Sequence, residues 1–339
     1  MGARTYCNAL VLLVATIAPF SASAEACPTW LPDFRCDREA RFDGFVMPMS
    51  MPYLFEDPFV TSGANLVGIY HDFAKTGKFD PGYAGVLALQ LRLAITDRLA
   101  FIATKDGFMM FRPDTKISTL GVGGAAGRRQ LLADEDAFLN ATAGFKYALI
   151  VDRENDFILT PAVRYEIPLG NDEVFQGKGD GIFIPSASMA WGIDDFHIIA
   201  GVGGQVAIDR DRDSTSIFYN LHLDYRVTDL LTPFVELNAT HWTDAGDGTL
   251  KVNTAGTLGG SDLTLTQAQA ALQTNGFEGA DVANLGSRGV VGDELITMAW
   301  GLRVPLDDHV SLGISYERAL TGEKHLFRQR VTAMATFEY

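Results

Sequence analysis

Residues 328–339 read RQRVTAMATFEY, and this stretch decides the fold. Val331, Ala333, Ala335, Phe337 and Tyr339 fall on one face of an extended chain, while Arg328, Arg330, Thr332, Thr336 and Glu338 fall on the other. A period of two belongs to a strand whose faces meet unlike surroundings. A soluble sandwich strand can alternate too, but it less often carries the alternation to a terminal Phe-Glu-Tyr.

The same alternation recurs upstream. It predicts strands near 64–73, 83–95, 99–105, 136–151, 156–167, 181–193, 196–208, 215–227, 231–241, 294–304, 309–319 and 325–339. Most reach the ~9–11 residues that a tilted strand needs to cross a bilayer. Five joints are short and acidic: Thr96-Asp97-Arg98, 152–155, Asp194-Asp195, Thr228-Asp229-Leu230 and Asp307-Asp308. They occupy every second joint, and the alternate joints include long stretches at 106–135 and 242–293. Short turns on one rim and long loops on the other predict an outer-membrane barrel whose short rim faces the periplasm.

Sidedness separates a membrane barrel from a soluble one. Ile217, Tyr219, Leu221, Leu223, Tyr225 and Val227 oppose Asn220, His222, Asp224 and Arg226, and Leu87, Leu89, Leu91, Leu93 and Ile95 oppose Gln90 and Arg92. A water-soluble barrel would turn the apolar set inward. Here the polar set holds charges at mid-strand, which predicts a lumen lined by Gln90, Arg92, Lys146, Arg164, Glu166, Asn220, His222, Asp224, Arg226, Glu236, Asn238, Glu317, Arg328 and Arg330. The apolar set then faces lipid, where a sheet must close on itself to satisfy its edges. The expected fold class is all-β: a transmembrane antiparallel β-barrel of about twelve strands over 64–339. Glu317 and Arg328, equidistant from the 320–324 turn, are expected to be neighbours inside.

Arg4, the apolar run Ala9–Phe20 and the small residues Ala22-Ser23-Ala24 predict a signal peptide over 1–24, cleaved before Glu25. The run is shorter than the ~20 residues of a helical span. Export places Cys27 and Cys36 in an oxidising compartment and predicts a disulfide between them, while Ala24 speaks against lipid attachment at Cys27. Residues 25–63 form a lead-in or small plug. Its run Met47-Pro48-Met49-Ser50-Met51-Pro52 cannot be a regular strand. Three thioethers suit Cu(I), but with no cysteine or histidine beside them they are read as gap-fillers. A net charge of −15 opposes a nucleic-acid partner and a generic anion pore.

No cofactor, metal or catalytic motif is expected. Gly121-Val122-Gly123-Gly124 lacks the third glycine of a dinucleotide site and reads as a turn. Residues 209–213 and 244–248 carry carboxylates without a full calcium-loop pattern, which favours turn chemistry. A short helix is expected over 263–274. His222 and Asp224 share a face, and Ser186 or Ser188 would complete a nucleophile arrangement. A lumen, however, needs polar residues in any case.

The Phe55-Glu56-Asp57-Pro58-Phe59 stretch, the Leu91–Thr104 hairpin with its Thr96-Asp97-Arg98 turn, and the closing Phe337-Glu338-Tyr339 carry a family resemblance. The chain resembles Gram-negative outer-membrane barrels known as transporters of the phenol-degradation meta-pathway group. Alternation that ends on an aromatic also resembles the terminal signal read by the barrel assembly machinery. The resemblance implies passage of small, apolar or aromatic molecules and assigns no binding residue. The expectation is a passive outer-membrane channel, in contact with lipid and a small solute and narrowed by the 242–293 loop. A structural or adhesive barrel closed by ion pairs is the first rival, and a barrel hydrolase the second.

Overall fold

Alternating side chains make a strand amphipathic, and twelve such strands hydrogen-bond in a ring with no free edge. The computed structural model describes residues 42, 44–75, 82–114, 117–120, 128–132, 134–246, 249–250, 263–264, 276–307, 309–323 and 325–338. The barrel lies in the unit Phe34–Tyr339, and the other unit, Met1–Asp33, falls outside the described residues. The expected signal peptide, Cys27–Cys36 disulfide and 121–124 turn also lie outside the described residues, and of the expected 263–274 helix only Leu263–Thr264 is described, as a short strand paired with Thr249–Leu250 rather than as helix.

The barrel strands are β1 (Gly63–Asp72), β2 (Tyr83–Ala94), β3 (Leu99–Arg112), β4 (Ala141–Tyr147), β5 (Phe157–Ile167) and β6 (Ile182–Ile193). They continue with β7 (Phe196–Ala207), β8 (Thr215–Tyr225), β9 (Thr232–Asp244), β10 (Glu294–Pro305), β11 (Val310–Ala319) and β12 (Gln329–Glu338). Each pairs antiparallel with its sequence neighbours. β12 closes the ring on β1, from Gly63 opposite Glu338 to Asp72 opposite Gln329. The barrel is therefore closed and all-β.

The third strand departs from expectation, running to Arg112 rather than stopping at 105. Leu89 faces Asp106 and Leu91 faces Ala103, so Thr104 and Lys105 together oppose Gln90. This is a β-bulge, and it reverses the inward parity. Ala100 and Ile102 point inward before it, and Met109 and Phe111 after it. The alternation breaks at the bulge, which is why the strand reads as short. Beyond it, Ile117–Leu120 pairs with Arg128–Leu132, so part of the expected 106–135 loop is sheet. The 136–151 segment is likewise divided: Glu135–Phe138 and Ala141–Tyr147 pair with β3, and Ile150–Asp152 pairs with β5.

The outer surface is apolar. Leu87, Leu89 and Leu91 are exposed on β2, while Gln90 and Arg92 are buried. Phe145, Phe183, Trp191, Tyr219 and Trp300 extend the exposed apolar surface around the ring. Such a surface is stable against hydrocarbon and a liability in water. No helix among the described residues is long and apolar enough to cross a membrane.

Candidate functional site

The lumen is filled. Residues 44–62 run inside the barrel with Phe45, Met47, Met49, Met51, Tyr53, Leu54, Phe55, Phe59 and Val60 buried. The segment pairs its own backbone in a turn at Met51–Glu56, and inward side chains of the wall supply further partners. Glu236 accepts the N–H groups of Met49 (2.9 Å) and Ser50 (2.8 Å). Gln90 donates to the Pro52 carbonyl (2.7 Å), Arg164 to those of Tyr53 (2.5 Å) and Leu54 (3.0 Å), and Thr160 to that of Pro58 (2.6 Å). At Gly44, φ is +87°, and an added Cβ would lie 3.1 Å from Arg226 Nη1. Glycine alone fits that entry without strain.

The strongest anchor is ionic. Glu56 accepts from Arg92 Nε (2.8 Å), Arg92 Nη2 (3.0 Å) and Lys146 Nζ (2.8 Å), and Lys146 also meets Asp57 at 3.1 Å. Burial opposes ionisation of Glu56, yet Arg92 and then Lys146 outweigh it and hold the carboxyl at about 2. Nearby, Glu166 accepts from Lys105 (2.9 Å), Asn140 (2.6 Å) and the Tyr53 hydroxyl. Burial, and next the Glu166 carboxylate, push the Tyr53 phenol well above its ordinary range.

A second network spans β7 to β12. His197 Nδ1 meets Asp224 at 2.6 Å, Asp224 meets His222 Nε2 at 3.1 Å, and His222 Nδ1 meets Glu236 at 2.8 Å. Asn238 donates to Ser50 Oγ (2.7 Å) and to Glu317 (3.2 Å), and Asn220 to Asn238 (2.7 Å) and to the Met51 sulfur (3.3 Å). Glu317 pairs with Arg330 at 2.8 Å, and Arg330 reaches Asp281 of the last long loop at 2.6 Å.

Twelve of the fourteen expected lumen residues are thus buried inside, and two are not. Arg226 lies past the end of β8, 38% exposed, and pairs with Asp195 of a short turn. Arg328 precedes β12, 28% exposed, and pairs with Asp72 and Glu323. Both stand at rims because their strands end one residue short of them. The expected Glu317–Arg328 neighbourhood is corrected for the same reason: β12 starts at Gln329, and the register places Arg330 opposite Glu317. The serine arrangement lacks a base, since both His222 ring nitrogens lie against carboxylates and neither is free to take a serine proton.

Several residues that carry the site do not stand out in the sequence. Arg303 (β10) and His197 (β7) share the inward parity of their strands and could have been found by it. Glu56, Asp57 and Asp281 lie in irregular chain, where no period marks a direction. Met49 packs with Met334 in one apolar cluster and Met51 in another, so the methionine run is dispersed as packing. Among the described residues no group of His, Cys, Asp and Glu is placed to hold a metal ion.

One part of the lumen is not filled, and its wall is mostly apolar, with Gln90, Thr104, Lys105 and Asp281 at its margin. Val67 and Ile69 of β1, Val86 and Ala88 of β2, and Leu139 wall a cavity of about 40 Å³, with Tyr53 below and Asp281-Val282 above. An apolar cavity that takes up benzene measures roughly 150 Å³. This one is therefore closed to a ring-sized molecule as it stands.

No protein-family model matches the chain, and no curated protein matches it. Among solved structures it is similar to an outer-membrane channel from Pseudomonas putida F1, at 13% identity over 88% of this chain and 98% of that one, with a TM-score of 0.50. It is also similar to the KdgM porin (9%, 81% and 99%, 0.41) and to the transport unit of the autotransporter AIDA-I from Escherichia coli (9%, 82% and 90%, 0.41). The first likeness shows the fold. The chain has the fold of an outer-membrane barrel, a closed ring of twelve antiparallel strands.

Proposed function

We propose that the protein is a passive outer-membrane channel or transporter for small, uncharged, apolar or aromatic solutes in a Gram-negative cell, its short-turn rim facing the periplasm. The observation that carries this reading is the division of the lumen. Its charges are engaged with one another and with residues 44–62, and the cavity of about 40 Å³ is walled mostly by apolar side chains, the charges at its margin, Lys105 and Asp281, being paired with Glu166 and Arg330. An ion entering here loses its water and finds opposite charges already paired, at a cost of several kcal/mol. An apolar solute loses little and gains about 25 cal/mol for each Å² it buries. That the similar Pseudomonas putida protein is a channel accords with this reading.

The test uses purified protein in vesicles whose outer leaflet is lipopolysaccharide, which slows unaided entry of apolar molecules. Fluorescent 1-naphthol should enter faster than into protein-free vesicles while ion conductance in planar bilayers stays small. Equal entry with and without protein would overturn the reading. The filled lumen also favours a second one, a closed structural or adhesive barrel. Deleting 243–292 separates the two: a channel changes permeability, whereas an adhesin loses partner binding with permeability unchanged.

A further inference from the structure

Residues 276–293 turn inward from the long-loop rim, and their two ends are held very differently. The root is sewn to neighbouring turns. Glu278 accepts from Ser287 N (2.8 Å), Leu285 N (2.8 Å) and Ser214 Oγ (2.5 Å), and Asn284 exchanges hydrogen bonds with the Ser214 backbone at 2.8 and 2.7 Å. Leu326 N donates to the Glu278 carbonyl at 2.9 Å. The tip, Ala280 to Val282, is joined to the wall by one ion pair, Asp281–Arg330, by Gln176 donating to the Val282 carbonyl at 3.2 Å, and by apolar packing of Ala280 with Trp242, Leu295 and Phe327. Ala280 has φ +56°, a left-handed conformation that an alanine adopts only at a cost.

Arg330 decides what tip movement requires. It already holds Glu317 through Nε and Nη2, both at 2.8 Å, and Glu317 is fixed in turn by Thr297 and Asn238. When Asp281 withdraws, the buried cation keeps a carboxylate, and Asp281 itself moves toward water. The usual penalty of stranding a buried charge is absent. Withdrawal also removes Val282 from above the 40 Å³ cavity, which is too small for a ring until something leaves.

We infer that residues 276–293 gate the apolar cavity and that Asp281 is the latch, exchanging Arg330 with no loss of the cation's second partner. The inference rests on the channel reading. The cavity is the resting site of a neutral apolar solute, and releasing the latch admits it.

The test places a cysteine at Val282→Cys and measures its reaction with a membrane-impermeant maleimide in the folded, reconstituted protein. Adding Asp281→Asn, which preserves shape and removes the charge, should speed labelling by on the order of tenfold, the worth of one charged hydrogen bond. Adding Asp281→Glu, which keeps the charge, should leave labelling slow. Equal rates for Asp281→Asn and its parent, or equally fast labelling with Asp281→Glu, would overturn the latch. Faster labelling with no 1-naphthol entry in any variant would leave the latch standing and remove the channel reading instead.

Discussion

Glu56, in the segment that threads the barrel, accepts two hydrogen bonds from Arg92 of β2 at 2.8 and 3.0 Å while Lys146 of β4 holds the same carboxylate at 2.8 Å. Two strands that are not adjacent are thus tied to one side chain in the lumen. Arg92 is 5% exposed and Lys146 1%, so water does little to screen the pairing.

Replacing Glu56 with alanine should loosen the threaded segment. Two buried cations would then share Asp57 alone, and breaking a buried pair from one side costs about 3–5 kcal/mol. The expected outcome is a lower urea midpoint in vesicles and a rise in planar-bilayer conductance. An unchanged midpoint together with unchanged conductance would refute the anchoring role.

Acid should release the same anchor. The carboxyl of folded Glu56 sits at about 2 against an ordinary 4.5, so the folded chain binds this proton less tightly than the unfolded chain does. The stabilisation is whole above pH 4.5 and is lost as the pH falls from there toward 2. The difference corresponds to roughly 3 kcal/mol. Conductance should stay flat from neutral pH to about 5 and climb below it. Glu56→Gln should remove that climb, and an identical acid profile in this variant would assign the effect to another group.

How much of this was legible follows from period and direction. Where a residue sits in a regular strand, alternation fixes which way it points, so Arg164, Glu236 and Glu317 could be assigned to the interior from sequence. Where regularity fails, the assignment fails with it. The Thr104–Lys105 bulge reversed parity within β3 and truncated its reading, and Arg226 and Arg328 followed the alternation one residue past the hydrogen-bonded ladder. Asp281 was beyond reach, because only tertiary structure brings a loop tip to a strand 49 residues away. Nor does alternation distinguish an open lumen from one filled by residues 44–62.

Membrane embedding itself can be tested at one pair of neighbours. Leu89 is 45% exposed at the middle of β2, and Gln90 beside it is 2% exposed on the opposite face. An arginine on the lipid face near the bilayer midplane costs about 2–4 kcal/mol. Leu89→Arg should therefore lower the unfolding free energy by that amount in vesicles of ordinary thickness. A surface position in water would register almost nothing, so a neutral result would contradict a lipid-facing Leu89.

The histidine network gives the last test, and it separates pairing from packing. His222 stacks on Phe234 with ring centroids 5.2 Å apart, and its two nitrogens bridge Asp224 and Glu236. His222→Phe keeps an aromatic ring in that place but removes both ring nitrogens, leaving two carboxylates close together in the wall of the lumen. Asp224 retains His197, and Glu236 retains the Met49 and Ser50 N–H groups, so the fold should survive with about 3 kcal/mol less stability. Adding Asp224→Asn removes one of the two unbalanced charges and should restore part of the loss. Urea titrations of the single and double variants in vesicles measure this directly. If the double variant is no more stable than His222→Phe alone, the histidine acts by filling space, and the charge argument for this part of the lumen is wrong.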